Sequence, residues 1–197
     1  MTYRTDISNN LVHFTKGIDS EGAFKNLWSI ISNEIIYGSD NLIKGKHKCV
    51  CFSEAPIDLI KSGLVNMDNF SRYSPFGILV SKKWLFSKGG RPVIYQPEKQ
   101  YSDLFDKNKW RHVTYNPILK PPIDFTWERE WRIQTNELEI DSENYAIIVP
   151  DSDSANNLVS TYMNEQDYDI EQYKMLIGDI AELYRSPFPW KIYHLND

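Results

Sequence analysis

Short runs of β-strand length are spread along this 197-residue chain, and they constrain its fold more than any other feature. Each run is wholly apolar or alternates apolar with polar residues, which is the pattern of a buried or half-buried strand. The runs cover residues 11–15, 48–53, 76–81, 92–96, 128–134, 145–149 and 190–194. Many short strands with few, peripheral helices predict an α+β protein with a mixed or antiparallel sheet.

Helical periodicity is confined to a few segments. Asp19 or Ser20 can cap a helix whose apolar face comprises Ala23, Phe24, Leu27, Trp28 and Ile31. Shorter helices are predicted to open at Pro56 and to cover 82–88, and Ser154 can cap a later one. Four prolines interrupt the middle of the chain, residues 97–126, so a loop, a lid or a mobile insertion is expected there.

Composition indicates a folded protein of one domain over residues 1–197. Hydrophobic residues make up 41% and aromatic residues 14%, too much for a disordered chain, and a net charge of −5 excludes a globally basic nucleic-acid binder. Neither a signal peptide nor an apolar run of the roughly 18 residues needed to cross a membrane is found. We therefore expect a cytoplasmic protein without a membrane partner, with Cys49 and Cys51 reduced.

Charge is unevenly distributed. Residues 82–111 carry eight basic and three acidic side chains, interleaved with aromatic residues, whereas residues 133–184 carry twelve acidic side chains and one basic. This division predicts either a basic cleft for an anionic ligand beside a solvated acidic region, or two ordinary solvated faces.

The segment from Trp127 to Ile133 is the most informative for chemistry. On a strand, Glu128, Glu130 and Arg132 share one face, whereas Trp131 and Ile133 point to the core. A carboxylate beside an arginine stays ionised, which suits binding a ribose hydroxyl or stabilising a cationic sugar transition state. The alternative is an exposed strand face held by ion pairs.

Other candidates are less specific. His13 lies opposite Val12 and Phe14 on its strand, so its imidazole should point to a groove or act as a structural hydrogen-bonding group. A zinc site would draw on His47, Cys49 and Cys51, which lack a fourth ligand. A magnesium nuclease would use Glu128 with Asp124. Neither metal is expected.

Several motifs together resemble the AbiGi family of abortive phage resistance proteins over roughly residues 11 to 150. The matching tracts are His13-Phe14-Thr15, Cys51-Phe52-Ser53-Glu54-Ala55-Pro56, Tyr73-Ser74-Pro75-Phe76-Gly77-Ile78, Lys83-Trp84, Gly90-Arg91-Pro92-Val93-Ile94-Tyr95 and Glu128-Arg129-Glu130-Trp131-Arg132-Ile133. Such families have been likened to the ADP-ribosyltransferase fold, in which a split pair of small sheets grips NAD.

The resemblance implies catalytic roles for three residues. His13 would contact the adenosine-side ribose or the nicotinamide amide, Tyr73 would stack near the nicotinamide, and Glu130 would bind the nicotinamide ribose and steer the acceptor. The middle position of the signature falls on either Tyr73 or Ser53, and Phe14 stands where that fold has a glycine after the histidine. Further NAD contacts are expected from Thr15, Ser53, Glu128 and Arg132.

Two functions follow from these patterns. In the first, a phage-defence or toxin–antitoxin toxin cleaves NAD and transfers ADP-ribose to a protein or nucleic acid, with the basic stretch holding the pyrophosphate or the acceptor. Replacing Glu130 with Gln should then abolish turnover and leave thermal stability nearly unchanged. In the second, a non-catalytic defence partner or antitoxin-like module binds a cognate toxin or antitoxin through its aromatic, basic region.

Overall fold

A mixed seven-stranded sheet lies at the centre of the protein. The computed structural model describes residues 7–54 and 73–195. The strands are β1 (Asn10–Phe14), β2 (Ile35–Tyr37), β3 (Cys49–Ser53), β4 (Gly77–Ser81), β5 (Arg91–Pro92), β6 (Ile94–Gln96), β7 (His112–Thr114), β8 (Glu130–Gln134), β9 (Glu137–Glu139), β10 (Tyr145–Val149) and β11 (Lys191–His194). The order in the large sheet is β11-β10-β4-β1-β3-β8-β5, antiparallel except for the β10–β11 pair. This arrangement confirms the α+β class with a mixed sheet.

Helices lie at the periphery of the sheet. They are α1 (Ser20–Asn33), α2 (Lys82–Ser87) and α3 (Ser152–Ile177). Asp19 caps α1, as predicted, because its carboxylate accepts from the Gly22 N–H at 2.8 Å. Ser154 was predicted to cap α3, but it lies within the first turn and its N–H donates to the actual cap, Asp151, at 2.8 Å.

The helix predicted at Pro56 falls outside the described residues. Within the parts of the chain that are described, no helix combines the length and apolar character that a bilayer crossing needs.

Apolar side chains cover both faces of the β10-β4-β1 half of the sheet. On β1, Leu11 belongs to the larger core cluster, together with Leu27 of α1 and Leu158 of α3. Val12 and Phe14 point the other way, into a smaller cluster with Ile148 of β10. Because successive residues of a strand alternate between faces, this burial confirms that Val12 and Phe14 lie opposite His13.

The large sheet is weakest at the junction between β1 and β3. These strands share a single register pair, Val12 with Ser53, whereas β1–β4 and β3–β8 each share five. The described residues therefore form one continuous seven-stranded sheet with two small sheets, β2–β9 and β6–β7, and not the split pair of small sheets implied by the resemblance. Beyond the Val12–Ser53 pair, the His13 imidazole contacts the backbone of β3.

The proline-rich middle contains more regular structure than predicted. Two 3₁₀ helices, Glu98–Asp103 and Asp106–Arg111, precede β7, which pairs in parallel with β6. A bridge between Asn116 and Ile123 then closes a turn. All four prolines lie outside these two 3₁₀ helices, with Pro97 at the N-cap of the first, so they interrupt neither helix and the segment is not an unstructured loop.

Candidate functional site

A cavity of about 450 Å³ opens beside the β1–β3 junction, within the 300–1,000 Å³ typical of small-molecule sites. Strands β1, β3 and β8 supply one side of it, and the turn at 41–44 and residues from 112–125 supply the other. All three residues predicted to be catalytic line it, with three of the four predicted to bind the cofactor: His13, Tyr73, Glu130, Ser53, Glu128 and Arg132. Residues that are far apart in the sequence thus converge on one hollow.

His13 joins the two strands where their ladder has ended. Its Nδ1 lies 2.8 Å from the carbonyl oxygen of Cys51 on β3. A carbonyl can only accept, so Nδ1 carries the proton and Nε2 of the neutral ring is an acceptor. Burial, and to a lesser extent the Lys16 ammonium, lowers the pKa of His13, while the Cys51 carbonyl opposes that shift. The imidazole is therefore neutral at physiological pH.

Glu130 is held by Arg132 two residues further along β8. Nε of Arg132 donates to Oε1 of Glu130 at 2.7 Å, and Nη2 donates to Oε2 at 3.1 Å. The remaining guanidinium nitrogen, Nη1, donates to the carbonyls of Trp110 and His112 at 3.0 and 3.1 Å. Since alternate strand residues share a face, the sequence pattern predicted this pairing; the structure adds the carbonyls that fix the guanidinium.

Cys51 connects these two groups. Its backbone carbonyl binds His13, and its thiol lies close enough to Glu130 for that carboxylate to affect the thiol pKa. Burial is the main cause of the strongly raised pKa of the Cys51 thiol, and the Glu130 charge adds to it. The thiol therefore stays protonated, and it is not a nucleophile at neutral pH.

Glu128 reaches the cavity by a different route from the one predicted. It lies in a 3₁₀ helix, Thr126–Glu128, and not on β8, because Arg129 adopts a left-handed conformation (φ 45°) that turns the chain into the strand. Ser53 donates from its hydroxyl to the Glu128 carbonyl at 2.8 Å, and the Tyr73 hydroxyl donates to the Glu128 carboxylate. Hydrogen bonds from two other segments therefore replace strand geometry in positioning Glu128.

Aromatic rings stand beside this second carboxylate. Tyr73 packs edge-to-face against Trp127 and Phe14, with ring centroids 5.3 and 6.0 Å away. Tyr73 and Phe14 also line the cavity. The carboxylate end of the cavity therefore has an aromatic wall against which a flat ring can pack.

Thr15 does not line the cavity, contrary to the role expected from the resemblance. It is buried, and its hydroxyl lies 3.1 Å from the Ala23 carbonyl and 3.3 Å from that of Phe76. Strand β1 ends at Phe14, so the alternation that would have placed Thr15 on the His13 face stops one residue too early. Thr15 instead ties the end of β1 to α1 and to the residue before β4.

The basic stretch at 82–111 does not supply the cavity either. None of its lysines or arginines is among the lining residues. Lys82 pairs with Glu54 at 2.5 Å, Arg91 donates to the Phe86 carbonyl at 2.9 Å, and Arg111 donates to the Pro92 carbonyl at 2.9 Å. The cationic lining residues besides Arg132 are Lys16 and Lys44, for which the sequence contained no distinctive signal.

Residues from the proline-rich middle form one wall of the cavity. They include His112, Val113, Thr114, Ile123 and Phe125. His112 is buried, and its Nε2 has no hydrogen-bond partner within the described residues. Burial is the main cause of its lowered pKa, so the ring is neutral at physiological pH.

The described residues contain no group of three or more His, Cys, Asp or Glu placed to hold a metal ion. Asp124, the proposed partner of Glu128 in a nuclease site, accepts from the backbone and the hydroxyl of Thr126 at 2.9 and 2.6 Å and does not line the cavity. Its carboxylate stabilises the turn that precedes Glu128.

No protein-family model, curated protein or solved structure matches this chain.

Proposed function

We propose that this protein is a phage-defence toxin that cleaves the glycosidic bond of NAD and transfers ADP-ribose to a macromolecule. The observation that carries the proposal is the meeting of His13 and Glu130 in one cavity at the opening of the sheet. The phage-defence role and the transfer step rest on the resemblance to AbiGi proteins. The cavity supports the NAD chemistry.

Charge determines which way round NAD lies. Glu128 and Glu130 line the cavity, as does Lys16, which lies close enough to His13 to lower its pKa. The nicotinamide ring of NAD is cationic and its pyrophosphate is anionic, so the ring lies at the two carboxylates and the pyrophosphate lies towards Lys16. Tyr73 then packs against the nicotinamide ring, and Nε2 of His13 accepts from a ribose hydroxyl or from the nicotinamide amide.

Bond cleavage follows from the placement of Glu130. The bond between the nicotinamide nitrogen and C1′ of the ribose breaks, and its electron pair leaves with nicotinamide as a neutral molecule. The positive charge that develops on the ribose is stabilised by the Glu130 carboxylate, whose orientation Arg132 holds on both oxygens. The acceptor oxygen attacks C1′ and releases its proton to a carboxylate of the site; water in that position gives hydrolysis.

Nicotinamide release from NAD by the purified protein tests this function. Replacing Glu130 with Gln should lower the rate about a hundredfold, since it removes the charge that stabilises the transition state. Glu139 lies on β9, exposed and outside the cavity lining, so Glu139→Gln is the matched control and should keep the parental rate. Equal rates for Glu130→Gln and the parent, both shown to be folded, would overturn the mechanism.

Calorimetry separates this enzyme from the non-catalytic module. Titration of NAD into the Glu130→Gln variant, whose slower turnover should leave NAD largely intact during the measurement, should give a saturable heat. A module that only binds another macromolecule would give none.

A further inference from the structure

The hairpin formed by the end of α3 and the following 3₁₀ helix, Gly178–Tyr184, exposes an unusual amount of apolar surface. Leu176 is 80% exposed, Ile180 63% and Leu183 83%. With Tyr173, Ile177 and Tyr184, which are also exposed, they form a surface that we call the apolar tip. A soluble domain seldom leaves so many large apolar side chains uncovered in so short a segment unless something binds there.

The apolar tip is not the edge of the core. The inward side of the hairpin is already buried through Ile170 and Ala181, which are 2% and 0% exposed. Tyr173, Leu176 and Ile177 share a face of α3 by their i, i+3, i+4 spacing, and Ile180 and Leu183 share a face of the 3₁₀ helix. The Tyr173 and Tyr184 rings, 6.1 Å apart, connect the two helices.

Ion pairs hold the hairpin in this shape. Lys174 binds Glu171 at 2.7 Å and Glu182 at 2.6 Å, which links α3 to the 3₁₀ helix. Arg185 binds Glu182 at 3.1 Å and also pairs with Asp167. A preformed surface loses little conformational entropy when a partner binds.

Charge indicates what that partner is. Residues 165–185 contain six carboxylates and two basic side chains, and both basic side chains are used in the ion pairs above. Asp169 and Asp179 are exposed and form no ion pair within the described residues. A second copy presenting the same face would bring negative charge against negative charge, so the surface favours a partner of opposite sign.

We propose that the apolar tip binds a protein partner through an amphipathic segment in which apolar side chains are flanked by lysine or arginine. The apolar residues of that segment cover Leu176, Ile180 and Leu183, and its basic residues reach Asp169 and Asp179. This surface is separate from the cavity, so the proposal stands whether or not the protein cleaves NAD.

A defined peptide pair tests the proposal on the full chain. The probe is a labelled amphipathic helical peptide made of leucine and lysine, and its control has glutamate in place of lysine. We expect saturable binding of the lysine peptide that weakens with salt, and weaker binding of the glutamate peptide. The double variant Leu176→Ser/Leu183→Ser should bind the lysine peptide about tenfold more weakly, whereas Ile118→Ser, at an equally exposed position (88%) elsewhere, should bind like the parent.

Three results would overturn it. Equal binding of both peptides would show that basic side chains are not required in the partner. Equal binding of the lysine peptide by the parent and the double variant would show that the apolar tip is not the binding surface. Self-association of the parent in sedimentation experiments, lost in the double variant, would make a second copy the occupant. Leu176 and Leu183 are each at least 80% exposed, so the double variant should keep the parental melting temperature, which shows that any loss of binding is local.

Discussion

Arg132 and Glu130 form a nearly buried pair in which the guanidinium contacts both carboxylate oxygens, at 2.7 and 3.1 Å. Their side chains are 6% and 13% exposed. The same contacts that orient the carboxylate towards the cavity also satisfy a charge that the fold has removed from water. Stability and the proposed chemistry therefore depend on one pair of residues.

Replacing Glu130 with Gln should therefore destabilise the protein, whereas the sequence alone predicted that its thermal stability would hardly change. The variant leaves Arg132 buried with one uncharged acceptor in place of a carboxylate, at a cost of about 2 kcal/mol in the free energy of unfolding. Urea denaturation measures this change. Glu137→Gln, at an exposed position on strand β9, should change the value by less than about 0.5 kcal/mol. An unchanged urea midpoint for Glu130→Gln would mean that the pair does not contribute to stability.

His13 should make stability depend on pH in a defined direction. Burial lowers its pKa in the folded state, so the unfolded state binds the proton more readily. The stabilisation is fully present above the ordinary pKa of histidine, near 6.5, and is lost as the pH falls through the folded-state pKa. The free energy of unfolding, measured in urea at pH 7.5 and pH 5, should fall less in His13→Gln than in the parent.

A His13→Gln variant with the same dependence as the parent would contradict the burial of a neutral imidazole at this position.

Thr15 should matter for folding and not for ligand binding. Replacing it with Val keeps the shape but removes the hydroxyl that bonds Ala23 and Phe76, at a cost of about 1–2 kcal/mol in the free energy of unfolding. The affinity for NAD, measured by calorimetry, should equal that of the parent. A selective loss of NAD affinity without a loss of stability would show that Thr15 contributes to NAD binding.

Periodicity was sufficient to predict most of the strands that build the large sheet. The runs around Leu11, Val50, Ile78 and Ile147 are strands, and Trp131 and Ile133 are buried as their alternation requires. The single strand predicted at 92–96 is two short strands, β5 at the edge of the large sheet and β6 in a separate pair with β7. Strands β2, β7 and β9 were missed because three residues are too few to show a period. The sequence pattern also could not show that Asp151, rather than Ser154, is the N-cap of α3, since both residue types make good caps.

The candidate site was predictable where its residues lie on strands and not where they lie on turns. Glu130 and Arg132 pair as neighbours on one strand face. Glu128 takes its position from the left-handed Arg129 and from the Ser53 and Tyr73 hydroxyls, none of which a local pattern reveals.

Local sequence determined the chemistry available to this protein: a strand histidine, two carboxylates and an arginine at alternating spacing. Only the tertiary structure decided that the sheet opens between β1 and β3, that the proline-rich middle forms the facing wall, and that Lys16 lines the cavity in place of the basic stretch. The physical reason is the distance along the sequence between the residues that interact. Strand period and helix caps depend on residues a few positions apart, whereas a cavity is formed by groups that meet only after long loops have closed.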